Sequence, residues 1–143
     1  MKINDVIHAK STQSVVTITP DATVRELVAL LAEHNVGALV VSDDGERVTG
    51  IVSERDVVRH LHADEAVLDA PVSRIMTSEV RTCVAEDGLT ELMLTMTEHR
   101  IRHVPVVADG RLTGIISIGD VVKNRIGELE FERDQLDSYV HQT

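Results

Sequence analysis

The chain has 143 residues, 43% of them hydrophobic, and a formal net charge of −10 from 14 basic and 24 acidic residues. That length suits one compact unit with a hydrophobic core of its own. The only aromatic side chains are Phe131 and Tyr139, which disfavours stacking on nucleic-acid bases, and the negative charge opposes binding to a phosphate backbone. We therefore expect no nucleic-acid polymer among its partners.

The sequence carries no pattern that predicts export, membrane insertion or a disulfide framework. Its first residues lead into polar positions, and no apolar run approaches the roughly 18–20 residues that span a bilayer. The single cysteine, Cys83, cannot form an intrachain disulfide and has no evident base beside it, so inert packing is expected. These features predict a soluble cytoplasmic protein with no membrane partner.

The first half of the chain predicts elements in the order β-α-β-β-α. Val24, Leu27 and Leu31 recur at helical spacing, and Asp44-Gly45 marks a turn between two apolar strands. The elements are expected at residues 15–18, 23–34, 36–41 and 48–52, with the last helix beginning at Ser53.

The second half repeats this order 64 or 65 positions later. Leu27 finds its counterpart in Leu92, and the string at 49–53 returns at 113–117. The repeated elements are expected at residues 80–84, 88–99, 101–107 and 112–116, with the last helix beginning at Ser117. Because one such unit leaves a face of its sheet uncovered, two units would pack sheet to sheet around a pseudo-twofold axis, with ligand-sized clefts between them.

The predicted fold class is therefore α+β, with two β-α-β-β-α repeats and a C-terminal helical extension. The expected organisation is a first repeat at 1–62, a linker at 63–72, a second repeat at 73–127 and a helical tail at 128–143. Positions spaced four and three residues apart form an amphipathic seam with one polar interruption; they are Val122, Ile126, Leu129, Arg133, Leu136 and Val140. Such a helix either packs on its own domain or contacts a partner subunit, and the sequence leaves both alternatives open.

A Gly-x-x-Ser-x-x-Asp string occurs in both repeats, with Ser53 and Asp56 in the first and Ser117 and Asp120 in the second. One interpretation is structural, because a Ser N-cap and a carboxylate three residues later can form a capping box. The other is functional, because a helix start offers N–H groups to phosphate and a carboxylate there can accept hydrogen bonds from ribose hydroxyls. The string alone does not separate the two interpretations.

The ordered combination of motifs over residues 3–126 resembles a tandem pair of cystathionine-β-synthase (CBS) domains, known as a Bateman module. The resemblance is carried by the segments 36–41 and 101–107 and by the two Gly-x-x-Ser-x-x-Asp strings. It implies clefts that bind adenosine-containing ligands such as AMP, ADP, ATP, NAD or S-adenosylmethionine. It also implies a flat antiparallel homodimer.

By that resemblance, Asp56 and Asp120 would hold ribose hydroxyls, and Ser53 and Ser117 would face phosphate. The base would lie against the segments before the central strands, and cations would come from the same segments and from the helix starts. The remaining candidate nucleotide-binding residues are Val16, Val36, Gly37, Ala38, Arg55, Thr77, Arg81, Ile101, Arg102, His103 and Gly119.

The two copies differ at the positions that would supply cations. Residues 37–38 are Gly-Ala where 102–103 are Arg-His, and Arg55 stands where the second copy has Gly119. We therefore expect two clefts of unequal affinity. A mono- or dinucleotide is favoured over ATP, because neither copy has a lysine-rich surround.

No metal site and no catalytic machinery are expected. His60 and His62 are two residues apart and do not share a helix face, and His99 and His103 belong to different predicted elements. Neither a nucleophile elbow nor a phosphate-loop motif is present. The chain is thus expected to be a regulatory sensor that binds an adenine nucleotide and signals to a separate effector protein. The alternative is a protein-interaction or structural dimer module without a physiological nucleotide ligand.

Overall fold

The computed structural model describes residues 1–9 and 15–141. Two 3-10 turns, Glu65–Asp69 and Val72–Arg74, lie between the third and fourth helices. The helices are α1 (Ile3–Ala9), α2 (Val24–His34), α3 (Glu54–Ala63), α4 (Leu89–His99) and α5 (Ile118–Val140). The strands are β1 (Thr17–Ile18), β2 (Ala38–Val41), β3 (Gly50–Ser53), β4 (His103–Ala108) and β5 (Arg111–Ser117).

Each repeat builds a small sheet around one antiparallel hairpin. In the first repeat, β2 pairs with β3, and β1 lies parallel to β2 with Ile18 opposite Val41. In the second repeat, β4 pairs with β5, and Cys83 forms a parallel bridge with Val106. Cys83 is therefore the counterpart of Ile18, and the predicted α+β fold of two repeats is confirmed.

The lead-in segments differ most from the sequence-based expectation. Residues 3–9 form a helix that was not predicted, and the connection at 63–72 contains 3-10 turns. The strand predicted at 80–84 is reduced to the single bridge at Cys83. The physical reason is that these segments pack across the repeats, and contacts between distant parts of the chain leave no local periodicity in the sequence.

The two hydrophobic cores exchange their lead-in segments. Ile3 and Val6 of α1 are buried in the core of the second repeat, whereas Val72 and Ile75 are buried in the core of the first. The hydrogen bonds are equivalent as well: the backbone N–H of Ile3 donates to Asp87 O at 3.0 Å, and that of Val72 donates to Ala22 O at 2.7 Å. Each core thus contains residues from the other half of the chain. The domain boundaries predicted along the sequence stay a prediction.

The glycine of the Gly-x-x-Ser-x-x-Asp string makes room for the lead-in segments where they pass over β3 and β5. A Cβ on Gly50 would lie 2.7 Å from Met76 Sδ and 3.0 Å from the Thr77 carbonyl oxygen, and one on Gly114 would lie 3.1 Å from Ile7 Cδ1. The Thr77 backbone also exchanges two hydrogen bonds with Ile51, at 2.8 and 3.0 Å. A side chain at Gly50 would push this crossing segment away, so the glycine has a structural role that the string did not reveal.

The tail predicted at 128–143 is the continuation of α5, a single helix of 23 residues that begins directly after β5. Its early turns pack on the body through Val121, which is fully buried. Every described residue from 129 to 141 is exposed, so this part of the helix does not pack on its own domain. Residues 142 and 143 lie outside the described residues.

Candidate functional site

A cleft of about 760 Å³ lies between the two repeats. It is lined by residues from four segments, at 37–38, 51–59, 77–81 and 99–103. The first two segments surround the end of β3 and the start of α3. The third is the segment that crosses β3, and the fourth joins α4 to β4. Both halves of the chain therefore contribute to one cavity large enough for a nucleotide.

The start of α3 is held by a complete capping box. The backbone N–H and the hydroxyl of Ser53 donate to Asp56 Oδ2 at 2.8 and 3.1 Å, and the Asp56 N–H donates to Ser53 Oγ at 3.3 Å. Asp56 Oδ1 makes no hydrogen bond with any described residue. The structural interpretation of the string is thus correct for the first repeat, and it still leaves one carboxylate oxygen for a ligand.

The start of α5 repeats this arrangement. The Ser117 N–H donates to Asp120 Oδ2 at 2.9 Å, and the Asp120 N–H donates to Ser117 Oγ at 3.2 Å. Gly119 lies in the first turn, where a Cβ would be 3.6 Å from Ser117 Oγ. None of these three residues lines the cleft described above.

Arginines dominate the charge of the cleft. The five that line it are Arg55, Arg59, Arg81, Arg100 and Arg102. Three carboxylates share the cleft with them, those of Glu54, Asp56 and Glu79. None of the five arginines forms an ion pair with a described residue. The arginines that do are Arg25, Arg111, Arg125 and Arg133.

This concentration of cations is unusual for a chain with a net charge of −10. Among the described residues, the acidic side chains that pair with arginines do so outside the cleft, and inside it three carboxylates face five arginines. The five guanidinium groups make no ion pair with a residue that the structure describes, and they outnumber the three carboxylates of the cleft by two formal charges. The resulting positive potential attracts anions. The arrangement is therefore suited to binding a phosphate-bearing ligand.

Arg100 lines the cleft from a strained backbone conformation. It closes α4 with φ 54° and ψ 42°, and its counterpart at the end of α2 is Asn35 with φ 50° and ψ 50°. Asn adopts this left-handed region readily, whereas for other non-glycine residues it costs about 1–2 kcal/mol. The second repeat thus keeps an arginine at a position where the fold favours a smaller residue.

Gly37 brings the two repeats together at the edge of the cleft. A Cβ at this position would lie 3.4 Å from both Glu54 Oε1 and His103 Cε1. The Glu54 N–H donates to Gly37 O at 2.9 Å, and in the second repeat the Ile118 N–H donates to Arg102 O at 2.8 Å. Gly37 therefore lies within van der Waals reach of Glu54 from its own repeat and of His103 from the other.

Ten of the fifteen sequence-predicted residues line this one cleft. They are Gly37, Ala38, Ser53, Arg55, Asp56, Thr77, Arg81, Ile101, Arg102 and His103. Of the others, Val16 packs against the first core, Val36 is exposed, and Ser117, Gly119 and Asp120 lie at the start of α5. Their proposed ligand roles stay predictions.

Sequence reasoning missed several residues that line the cleft. They are Ile51, Glu54, Val58, Arg59, Glu79, Val80, His99 and Arg100. Arg59 had a usable signal, because it follows Arg55 by four residues and therefore shares its helix face. Arg100 had none, because its position depends on a left-handed helix end that the sequence does not mark.

Cys83 is buried in the core of the second repeat. Its Sγ donates to Pro105 O at 3.7 Å, and burial raises the pKa of the thiol to about 12, with the charge of Asp87 adding to the rise. The thiol thus stays protonated at neutral pH, in keeping with a packing role.

Among residues 1–9 and 15–141, no group of three His, Cys, Asp or Glu side chains could hold a metal ion. In the same residues, no helix is long and apolar enough to cross a membrane.

A family model described as the CBS domain matches the chain twice, at residues 3–63 and 72–127. The mitochondrial CBS domain-containing protein CBSX3 of Arabidopsis thaliana is 37% identical, over 96% of this chain and 71% of its own length. No catalytic family is indicated by these matches.

Solved structures share the fold. The CBS-domain containing protein ATU1752 of Agrobacterium tumefaciens superposes with a TM-score of 0.83 at 43% identity, over 87% of this chain and 99% of that one. The CBS domain pair of protein MJ0100, in complex with 5-methylthioadenosine and S-adenosyl-L-methionine, has a TM-score of 0.78 at 22% identity, over 90% of this chain and 98% of that one.

Proposed function

The chain belongs to the CBS domain family, as a tandem pair of such domains, and on that premise we propose that it is a regulatory module that binds an adenine nucleotide in the arginine-lined cleft. The observation that carries the proposal is the group of five arginines without ionic partners among the described residues. These five arginines make no ion pair with a described residue that would stabilise the fold. A phosphate-bearing ligand would supply the missing negative charge.

The adenosine part of the proposal is supported by the ligands named for the MJ0100 domain pair, which shares the fold of this chain. Both ligands named for that protein contain an adenosine group. In this chain, Asp56 Oδ1 is the group we assign to the ribose hydroxyls, because the capping box occupies only Oδ2. The base would lie against Gly37, Ala38 and Ile101, where aliphatic and backbone surfaces replace aromatic rings.

The charge of the cleft favours a nucleotide over the ligands named for MJ0100. 5-Methylthioadenosine is uncharged and S-adenosylmethionine carries a sulfonium cation, so neither would neutralise five arginines. AMP, ADP, ATP and NAD all carry phosphate, and a mono- or dinucleotide remains our preferred ligand. The start of α3 adds backbone N–H groups and the positive end of its dipole.

Ligand binding would act by favouring one conformation or one complex over another. We propose that the signal passes to a separate effector protein. We further propose a cytoplasmic homodimer, as the family resemblance implies. Light scattering of the purified chain tests the dimer directly, and a monomeric mass would contradict it.

Thermal unfolding in the presence of AMP, ADP, ATP, NAD, 5-methylthioadenosine and S-adenosylmethionine tests the proposal. A ligand at about 100 times its dissociation constant stabilises the fold by about 2.7 kcal/mol, which for a chain of this size raises the midpoint by roughly 8–10 °C. We expect phosphorylated ligands to raise it more than the two without phosphate. The Arg55→Gln, Arg59→Gln double variant should lose most of the shift.

The Arg47→Gln, Arg74→Gln double variant is the matched control, because both arginines are exposed, both lie outside the cleft, and the same two charges are removed. An equal loss in this variant would mean that net charge, and not the cleft, governs binding. If no compound shifts the midpoint at millimolar concentration, the alternative function is favoured: an interaction or structural module. The complete capping boxes, which need no ligand to explain them, are the observation that favours this alternative.

A further inference from the structure

The last turns of α5 form a surface that the CBS fold does not use. The family match ends at residue 127, whereas α5 continues to Val140. The ion pair between the Met1 amino group and Glu128 Oε2, at 3.2 Å, links the helix to the body. From Leu129 onward the described residues are exposed, so about three turns of helix extend without packing.

This extension carries an unpartnered apolar seam. The exposed fractions of Leu129, Leu136 and Val140 are 48, 65 and 70%, and the spacing of seven and four residues places them on one helix face. Phe131 and Tyr139, the only aromatic residues of the chain, are also exposed here, at 65 and 76%. Tyr139 lies at the edge of the seam, whereas Phe131 lies on the opposite face of the helix. An exposed apolar stripe with a tyrosine at its edge is typical of protein interfaces.

Acidic residues border the seam on both sides. Helical geometry places Glu130 and Asp137 along one edge and Glu132 along the other, while Arg133 interrupts the seam itself. Arg133 is paired only with its neighbour Asp134 among the described residues, through an exposed contact of 3.2 Å. A complementary surface therefore needs an apolar stripe, basic residues at its edges, and a carboxylate opposite Arg133.

A second copy of this helix does not meet that description. In a parallel pair, Arg133 would face the same arginine of the second copy across the seam, and Glu132 would approach Asp137 of the second copy. In an antiparallel pair, Glu130 and Glu132 would each face their own counterparts. Both arrangements bring like charges together, which is destabilising.

We propose that residues 129–140 of α5 are a docking surface for an amphipathic helix of another protein, with an apolar seam, lysine or arginine edges and one carboxylate opposite Arg133. Twelve residues of unpacked helix are marginally stable in water, so docking would also order this segment. The proposal does not depend on nucleotide binding, since the surface lies outside the cleft.

The test uses the full chain and two synthetic 18-residue peptides. Both have a leucine seam with one glutamate placed opposite Arg133; the edges of the first are lysine and those of the second are glutamate. Fluorescence anisotropy should show binding of the lysine-edged peptide, weakened by added salt, and at least about tenfold weaker binding of the other. Equal binding of both peptides, or of neither, overturns the proposal.

Variants of the exposed residues identify the surface without disturbing the core. Leu129→Ser with Leu136→Ser should weaken binding of the lysine-edged peptide at least about tenfold, whereas Phe131→Ser, on the opposite face, should leave it unchanged. Charge reversal of Glu130, Glu132 and Asp137 to lysine should transfer the preference to the glutamate-edged peptide. If the double serine variant instead lowers the oligomeric mass of the chain in light scattering, the occupant is a second copy and the proposal is wrong.

Discussion

The starts of α3 and α5 have the same backbone design and different chemical surroundings. The Ser N–H to Asp Oδ2 distances are 2.8 and 2.9 Å, and the return distances from the Asp N–H to Ser Oγ are 3.3 and 3.2 Å. Yet Arg55 in the first turn of α3 is replaced by Gly119 in α5, and five arginines line the cleft beside α3. The shared motif therefore accounts for the folding of both helix starts, whereas the cations that distinguish the cleft come from positions where the repeats differ.

The largest expected difference between the repeats concerns the crossing glycines. Gly50→Val should lower the free energy of unfolding by about 3 kcal/mol and Gly114→Val by about 1 kcal/mol. A side chain at Gly50 meets the Met76 sulfur and the Thr77 carbonyl of the crossing segment, whereas one at Gly114 meets only the side chain of Ile7. Urea unfolding measures both values. Equal costs would show that the Thr77 backbone yields as readily as the Ile7 side chain.

Substitution of the two capping aspartates distinguishes a loss of stability from a loss of ligand binding. Asp56→Asn and Asp120→Asn should each lose the same capping interaction and about 1 kcal/mol of stability. Asp56→Asn should also weaken nucleotide binding at least about tenfold, which corresponds to about 1.4 kcal/mol. Calorimetric titration measures the affinities. Equal affinity in the two variants would remove Asp56 from the proposed site.

Arg100, at the strained end of α4, should lower the stability of the fold while it strengthens nucleotide binding. Arg100→Asn should raise the free energy of unfolding by about 1 kcal/mol because it relieves the left-handed conformation. It should also weaken nucleotide binding several-fold, because it removes one cation from the cleft. The reciprocal Asn35→Arg change should only destabilise. A stability unchanged in both variants would contradict the strain argument.

The smallest expected effect is a pH dependence that only the second core has. Cys83 occupies the position that Ile18 has in the first core, and the pKa of its thiol is raised from 9.0 to about 12 in the folded chain. The folded state thus favours the neutral thiol, so its contribution to stability is present below pH 9 and is lost as the pH rises toward 12. Comparing chemical unfolding of the wild type and Cys83→Val at pH 7, 9 and 10 isolates this contribution. The Cys83→Val variant should gain relative stability as the pH rises; a constant difference would contradict the shift.

Much of the candidate site was predictable because it rests on short-range patterns. Ser53 and Asp56 are three residues apart, and a capping box needs only that spacing and a helix start. Gly37, Arg102 and His103 were found by comparing the two copies and by family resemblance. Arg100 and Glu79 were not, since their presence in the cleft depends on a left-handed turn and on a segment that crosses from one repeat to the other.

The sequence itself determined the duplication, because its two copies can be matched position by position. It also determined the repeated elements and the two capped helix starts, because each depends on residues close together along the chain. Only the tertiary structure decided which segments complete which core. Ile3 belongs with the second repeat and Val72 with the first, and no local pattern encodes that exchange. The same holds for the charge: the sequence determines a net value of −10, but folding alone gathers five arginines into one cleft and leaves an acidic, apolar-seamed helix exposed at the end of α5.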